Sequence, residues 1–240
     1  MIPITRVELD PAFSSKLDTL TVRLGNSPKL PEARTAWRQA QSEKQKLRSA
    51  LSQMAAGIQR CMYCGDNLGT DIDHFEPMAL SPTRTFDWFN HLLACSYCNS
   101  NYKRDRFPHD ADGRPLLIDP SREDPGRHLT LTLITGEFRA LTAQGQATID
   151  VFGLNRADLA RGRAGAFLTR RAILCHAHTL LRTDRLDDAE RCLRALAEEP
   201  HASVLHAMLR VMHLPGGTDV LGADVVAALQ DSKLRLLLGF

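Results

Sequence analysis

Long apolar runs are absent from this chain: no stretch approaches the ~18 consecutive apolar residues that a membrane-spanning helix requires. The opening residues, MIPITRVELDPAF, lack the charged-then-apolar build of a secretory signal, so a soluble, cytoplasmic protein is expected. No G-x-x-x-x-G-K-[ST] loop occurs, and any nucleotide hydrolysis linked to this protein would have to come from another chain. Aromatic residues make up only 6%, and the net charge is just +2, so composition alone does not make the chain a nucleic-acid binder. Six cysteines in 240 residues are too few, and too regularly paired, for the disulfide framework of a small secreted domain.

What is present is ordinary globular material, 43% hydrophobic and 24% charged, enough for one large or two small domains. The small net charge hides an asymmetry. Basic residues outnumber acidic ones 10 to 5 over residues 1–60, fall behind 8 to 13 over 61–150, and lead 12 to 10 over 151–240. A nucleic-acid enzyme with a divalent cation in its acidic middle has this look, because the ion supplies local positive charge while flanking segments hold phosphates.

Pro3, Pro11, Pro28 and Pro31 interrupt residues 1–30, and the first strong helix is predicted from Pro31 through Trp37, Leu47 and Leu51 to Ile58. Its polar face carries Arg34, Arg38, Lys44, Lys46 and Arg48, either as a solvated face or as one that meets phosphates. From Arg60 onward, short segments rich in Gly, Asp, Asn and Pro predict a compact metal-organised module, then an extended stretch over 106–128. Alternating Leu and Thr predict a hairpin of 129–135 with 138–142, with a third strand over 147–152. Helices are predicted over 155–183, 186–198, 201–213 and 222–231, broken at Pro200 and at Pro215-Gly216-Gly217. One helix pair ending at Pro200 resembles a tetratricopeptide unit, but a single copy falls short of the roughly three such arrays need, and a plain bundle is expected. The division expected is an N-terminal helical segment (1–59), a metal module with its hairpin (60–153) and a C-terminal helical domain (154–240).

Cys61-x-x-Cys64 and Cys95-x-x-Cys98 stand thirty residues apart, each pair spaced so that one turn can offer two thiolates to the same ion. Together they predict a tetrahedral four-cysteine Zn²⁺ site, closed and therefore structural, with Cys175 and Cys192 left as buried thiols. Between the pairs lies Asp71-Ile72-Asp73-His74-Phe75-Glu76-Pro77. The alternation there predicts a short strand with both carboxylates on one face and His74 at its end. His91 to Ala94 predicts the returning strand, and Asn99 to Arg106 a helix on which Asn99 and Lys103 lie one turn apart.

The order of the zinc pairs, Asp73-His74, Pro77, Trp88-x-Asn90-x-Leu92-Leu93 and Cys98-Asn99 followed by Lys103 resembles the HNH endonucleases, built on a zinc-bound ββα-metal finger. That resemblance, over residues 60–108, implies an α+β fold, with His74 as the general base toward water and Asp73 and Asn99 as ligands of a catalytic Mg²⁺ or Mn²⁺. Asn101 offers a second amide for the latter place, and Asp71 is either an outer carboxylate or a loop cap. It further implies that Asn90 holds the finger loop and orients His74, and that Lys103 and Arg104 meet the substrate phosphate. His91, where such proteins carry an apolar residue, is read as structural.

Farther along, Arg106-Phe107-Pro108, Leu116-Leu117-Ile118-Asp119-Pro120, Glu123-Asp124-Pro125, Ala147-Thr148-Ile149 and Gly153-Leu154-Asn155-Arg156 resemble the PtuB-type HNH nucleases of Septu and retron anti-phage defence. This implies a DNA-cutting effector that works with an ABC/AAA-type ATPase. Two other readings are a zinc-ribbon module that binds nucleic acid or protein without cutting, and a restriction-type HNH nuclease acting alone.

Overall fold

In the N-terminal segment proline starts helices instead of interrupting them. A computed structural model describes residues 1–239, and in it Pro11 opens a helix, α1 (Pro11–Leu24), that the sequence reading did not expect. The Asp10 carboxylate caps it, accepting from the Phe13 amide at 3.1 Å. The single long helix expected from Pro31 is two, α2 (Leu30–Gln39) and α3 (Gln41–Met54), divided at Ala40, whose ψ of 55° leaves the helical range. The break lets Ala36 and Trp37 of α2 and Leu47 of α3 close on Phe13, Leu17 and Phe86 in one small cluster, while Leu51 reaches the main core.

The predicted strands of the metal module form β1 (Asp71–His74) and β2 (His91–Ala94), antiparallel, with Asp71 opposite Ala94 and His74 opposite His91. A short finger helix (Tyr97–Lys103) follows, wound wider than an α-helix: the Arg104 amide reaches back five residues to the Asn99 carbonyl at 2.7 Å. It stops earlier than expected because Arg104 takes a left-handed φ of 52°.

The expected hairpin is present as β3 (Leu129–Thr132) and β4 (Glu137–Ala140). Its turn needs glycine at 136, where φ is +70° and a Cβ would strike the Ala160 carbonyl. The third strand expected over 147–152 is instead part of a helix, α4 (Ala143–Phe152). Its caps decide the matter: Thr142 Oγ1 accepts from the Gly145 amide at 3.1 Å, and Gly153 closes the other end in a left-handed conformation. These terminal bonds outweigh the β preference of Ile149 and Val151.

The remainder is helical: the four predicted helices are present as α5 (Ala157–Arg182), α6 (Leu186–Glu198), α7 (Ala202–Val211) and α9 (Ala223–Gln230), and two short helices that were not expected, α8 (Gly217–Leu221) and α10 (Ser232–Leu238), flank α9. Among the described residues, no helix is long and apolar enough to cross a membrane. The fold is α+β and mostly helical. Leu92 and Leu93 of β2, Leu129 and Leu131 of β3, Phe152 of α4 and Leu174 of α5 belong to one continuous core, so finger, hairpin and C-terminal helices stand on common ground.

Candidate metal centre and active site

The two C-x-x-C turns face each other across the finger. The Cys61 amide donates to Asn67 O at 2.8 Å, Gly65 to Cys61 O at 2.9 Å, and Met62 to Leu93 O at 2.9 Å, which fastens the first turn to β2. The second turn opens the finger helix. All four sulfurs are buried and lie within 4.8 Å of one another, with Cys64 and Cys95 at 3.9 Å. A tetrahedral ion with metal–sulfur bonds of about 2.3 Å needs sulfur separations of about 3.8 Å, so the donor set fits zinc.

Two donors face the Cys95 sulfur. The Cys98 amide points at Cys95 Sγ at 3.4 Å, and Asn67 Nδ2 does so at 3.8 Å. The Cys61 contact, followed by those of Cys64 and Cys98, holds the Cys95 thiol well below its usual range. Zinc held by four thiolates would carry two net negative charges, and Arg163 could answer this. Its guanidinium is fully buried, donates to Gly136 O at 2.5 Å and Leu154 O at 2.6 Å, and has no carboxylate partner among the described residues. Burial lowers it to about 10, with Cys64 the largest opposing influence.

Asp73 lies on the face of β1 toward the finger helix, but its carboxylate is already engaged. Lys103 Nζ donates to both its oxygens at 2.8 Å and to the His74 carbonyl at 2.5 Å, and Tyr63 Oη donates to Oδ2 at 2.5 Å. Asp73 is 3% exposed and Lys103 is fully enclosed. Burial, reinforced by Asp73, raises the Tyr63 phenol well above its usual range, so it stays a neutral donor. Two sequence expectations bear on these contacts. Lys103 does not face a substrate phosphate, because all three of its hydrogens are committed inside the finger. The expected pairing of Asp73 with Asn99 at a divalent cation meets a competitor, because the lysine ammonium faces the Asp73 carboxylate while Asn99 lies against Asp71.

Asn99 is half-buried and gives its amide to Asp71 Oδ2 at 3.2 Å, joined there by Ser100 Oγ at 3.4 Å. The residues placed together are thus Asp71 with Asn99, and Asp73 with Lys103. Asn101 and Arg104 are exposed, and the Arg104 Nε returns to Ser100 O at 3.3 Å. Asn90 is fully buried as a clasp on the finger loop: its Oδ1 accepts from the Glu76 amide at 2.8 Å, and its Nδ2 donates to Glu76 O at 3.0 Å and Arg84 O at 3.3 Å.

That clasp sets the position of Thr85, whose carbonyl accepts from Nε2 of both His74 and His91 at 3.0 Å. A carbonyl can only accept, so each imidazole carries its proton on Nε2 and keeps a lone pair on Nδ1. In His91 that lone pair is sealed in without a partner, whereas His74 retains 7% exposure. Trp37 of α2 lies edge-on to His74 at 4.6 Å between ring centres and stacks on His91 at 5.2 Å. Burial brings His74 down to about 4, against the opposing influence of the Thr85 carbonyl and Asp73, so the imidazole is neutral at pH 7. Sequence reasoning missed Tyr63, Thr85 and Trp37. Only Tyr63, between the first two cysteines, had a local signal, and the other two arrive through tertiary packing.

Three outcomes are expected. Cys98→Ser should lower bound zinc, measured by atomic emission, and unfold the finger by circular dichroism, since structural zinc binding is coupled to folding. Asp73→Asn leaves Lys103 buried without its counter-charge and should cost about 3–5 kcal/mol in urea unfolding. For His74, whose folded value lies below the ordinary 6.5, the unfolded chain binds the extra proton between the two values. Its contribution, about 3 kcal/mol, is full above pH ~6.5 and disappears as pH falls toward ~4. Urea midpoints against pH should therefore fall more steeply over that window for the wild type than for His74→Gln.

No protein-family model matches the chain, and no curated protein matches it, so the functional reading rests on the site and on the motifs that build it.

Proposed function

We propose that the chain is an HNH-type phosphodiester hydrolase that cuts DNA. The observation that carries this reading is the state of His74. It sits at the end of β1 in a cysteine-clasped hairpin-and-helix finger, neutral at pH 7, with Nε2–H held by Thr85 O and no donor to the Nδ1 lone pair among the described residues. In the proposed step Nδ1 takes a proton from water as the water oxygen attacks phosphorus. The bond from phosphorus to the 3′ oxygen breaks, and that oxygen takes a proton from solvent. Asn90 acts as a positioning residue through the loop that carries Thr85. The family resemblance implies a divalent cation held by Asp73 and Asn99, which would stabilise charge developing on the phosphate if Lys103 left the Asp73 carboxylate.

The motif order that continues from Arg106 through Arg156 supports a place among anti-phage effector nucleases that act with an ABC/AAA-type ATPase. The Asp73–Lys103 pair is also the specific observation that favours a rival, a zinc-ribbon module that binds without cutting. One experiment separates them: plasmid DNA is incubated with the protein and with His74→Ala, in Mg²⁺, in Mn²⁺ and in EDTA, with and without the partner ATPase. Nicking or linearisation by the wild type, reduced at least about 100-fold in a folded, zinc-loaded His74→Ala, is the expected result. Equal cutting by both removes His74 as the base, and no cutting in any arm leaves the binding module. Cutting that needs Mg²⁺ or Mn²⁺ would require Asp73 to exchange Lys103 for the ion.

A further inference from the structure

The five basic residues of the N-terminal helical face do not act as one surface. Lys46 turns to the ring of Phe13, at 5.4 Å, and Arg38 bonds Thr35 at 3.3 Å. Lys44 and Arg48 instead line an open groove of about 590 Å³ between α3 and β1, whose head is formed by Trp37 and Ile72. The groove continues along α3 past Gln45 and Arg48 to Ser52, Gln53 and Gln59. Among the described residues, no Asp or Glu lines either part, and neither Lys44 nor Arg48 forms an ion pair. Glu43, the nearest acid in sequence, accepts from Ser42 Oγ at 2.9 Å and is not part of the lining.

We infer that this groove is the track for the phosphodiester backbone of DNA, leading it to His74; the inference rests on the hydrolase reading above. Position is the first argument. Residues alternate faces along a strand, so Ile72 and His74 share one side of β1. Trp37, at the head of the groove, is the same ring that lies 4.6 Å from His74, and Lys44 Nζ stands 5.7 Å from its centre. Chemistry is the second. Gln41, Lys44, Gln45, Arg48 and Ser52 recur at three- and four-residue intervals, which places them in a row on one helix face. Cations interspersed with amides and hydroxyls are the donors that hold phosphate oxygens without reading bases. Length is the third: from residue 41 to 52 the helix rises about 16 Å, the axial rise of about five nucleotides of one duplex strand.

The test is anisotropy with a fluorescein-labelled DNA duplex and with its single strand, in EDTA, for the full chain, Lys44→Gln/Arg48→Gln and the control Lys46→Gln. Salt is varied between about 50 and 200 mM. Removing two phosphate contacts should make the plot of log affinity against log salt shallower by about 1.8 for the duplex, or about 1.4 for the single strand, and weaken binding roughly tenfold or more. Lys46→Gln should bind as the wild type does, and all three should keep their zinc and melting temperature. Wild-type affinity and slope in the double variant would overturn the track even if the protein cuts DNA, and so would failure of the wild type to bind either DNA. A wild type that binds with the expected slope difference but never cuts would leave the track standing and remove the hydrolase.

Discussion

The convergence of four sulfurs is the constraint on which the finger depends. β1 and β2 are each four residues long, and an isolated two-stranded hairpin of that size has little stability in water. The loop between them carries no regular element beyond single 3₁₀ turns. Bringing the Cys61 turn against the Cys95 turn ties the outer ends of this structure together, and it aims the finger helix so that Lys103 passes back under β1. The buried charge of Arg163, donated to two backbone carbonyls and the Asn155 side-chain oxygen, belongs to the same arrangement: a net anionic zinc-thiolate centre would offset a guanidinium that has no carboxylate partner among the described residues.

Once the helix is aimed, a second constraint follows from burial. A lysine ammonium cannot be enclosed without counter-charge and full hydrogen bonding. Asp73 and the His74 carbonyl supply both, and Tyr63 donates in turn to Asp73, so one face of β1 becomes a fixed ionic cluster. The opposite face carries His74 into an aromatic setting with Trp37 and His91, where burial keeps the imidazole neutral against the pull of Asp73. The alternation of a strand thus separates a charged, closed side from a side where a lone pair remains. Because Trp37 belongs to α2, the N-terminal helices are part of the site and not merely attached to it.

The finger was largely legible from sequence because its information is local. Cysteine spacing specifies turns that share an ion, alternation over Asp71 to His74 specifies a strand, and Pro and Gly punctuate the C-terminal helices. Misreadings arose where a local signal was ambiguous. Pro11 can interrupt or initiate, and Asp10 before it decides for initiation. Ile149 and Val151 favour a strand, yet Thr142 and Gly153 outside that run cap a helix. Ala40 gives no sign of a break, which is imposed by the packing of Trp37 and Leu47 on Phe86.

The sequence by itself determined the convergence of the four cysteines, the pairing of β1 with β2, and the presence of His74 at a strand end, since each depends on residues close in the chain or on a spacing with one chemical use. Only the tertiary structure decided which partners these groups meet. Asp73 and Lys103 are thirty residues apart, and Trp37 and His74 thirty-seven. Their contacts follow from how the finger helix and α2 pack, and burial is what turns those contacts into an ion pair on one side and a neutral imidazole on the other.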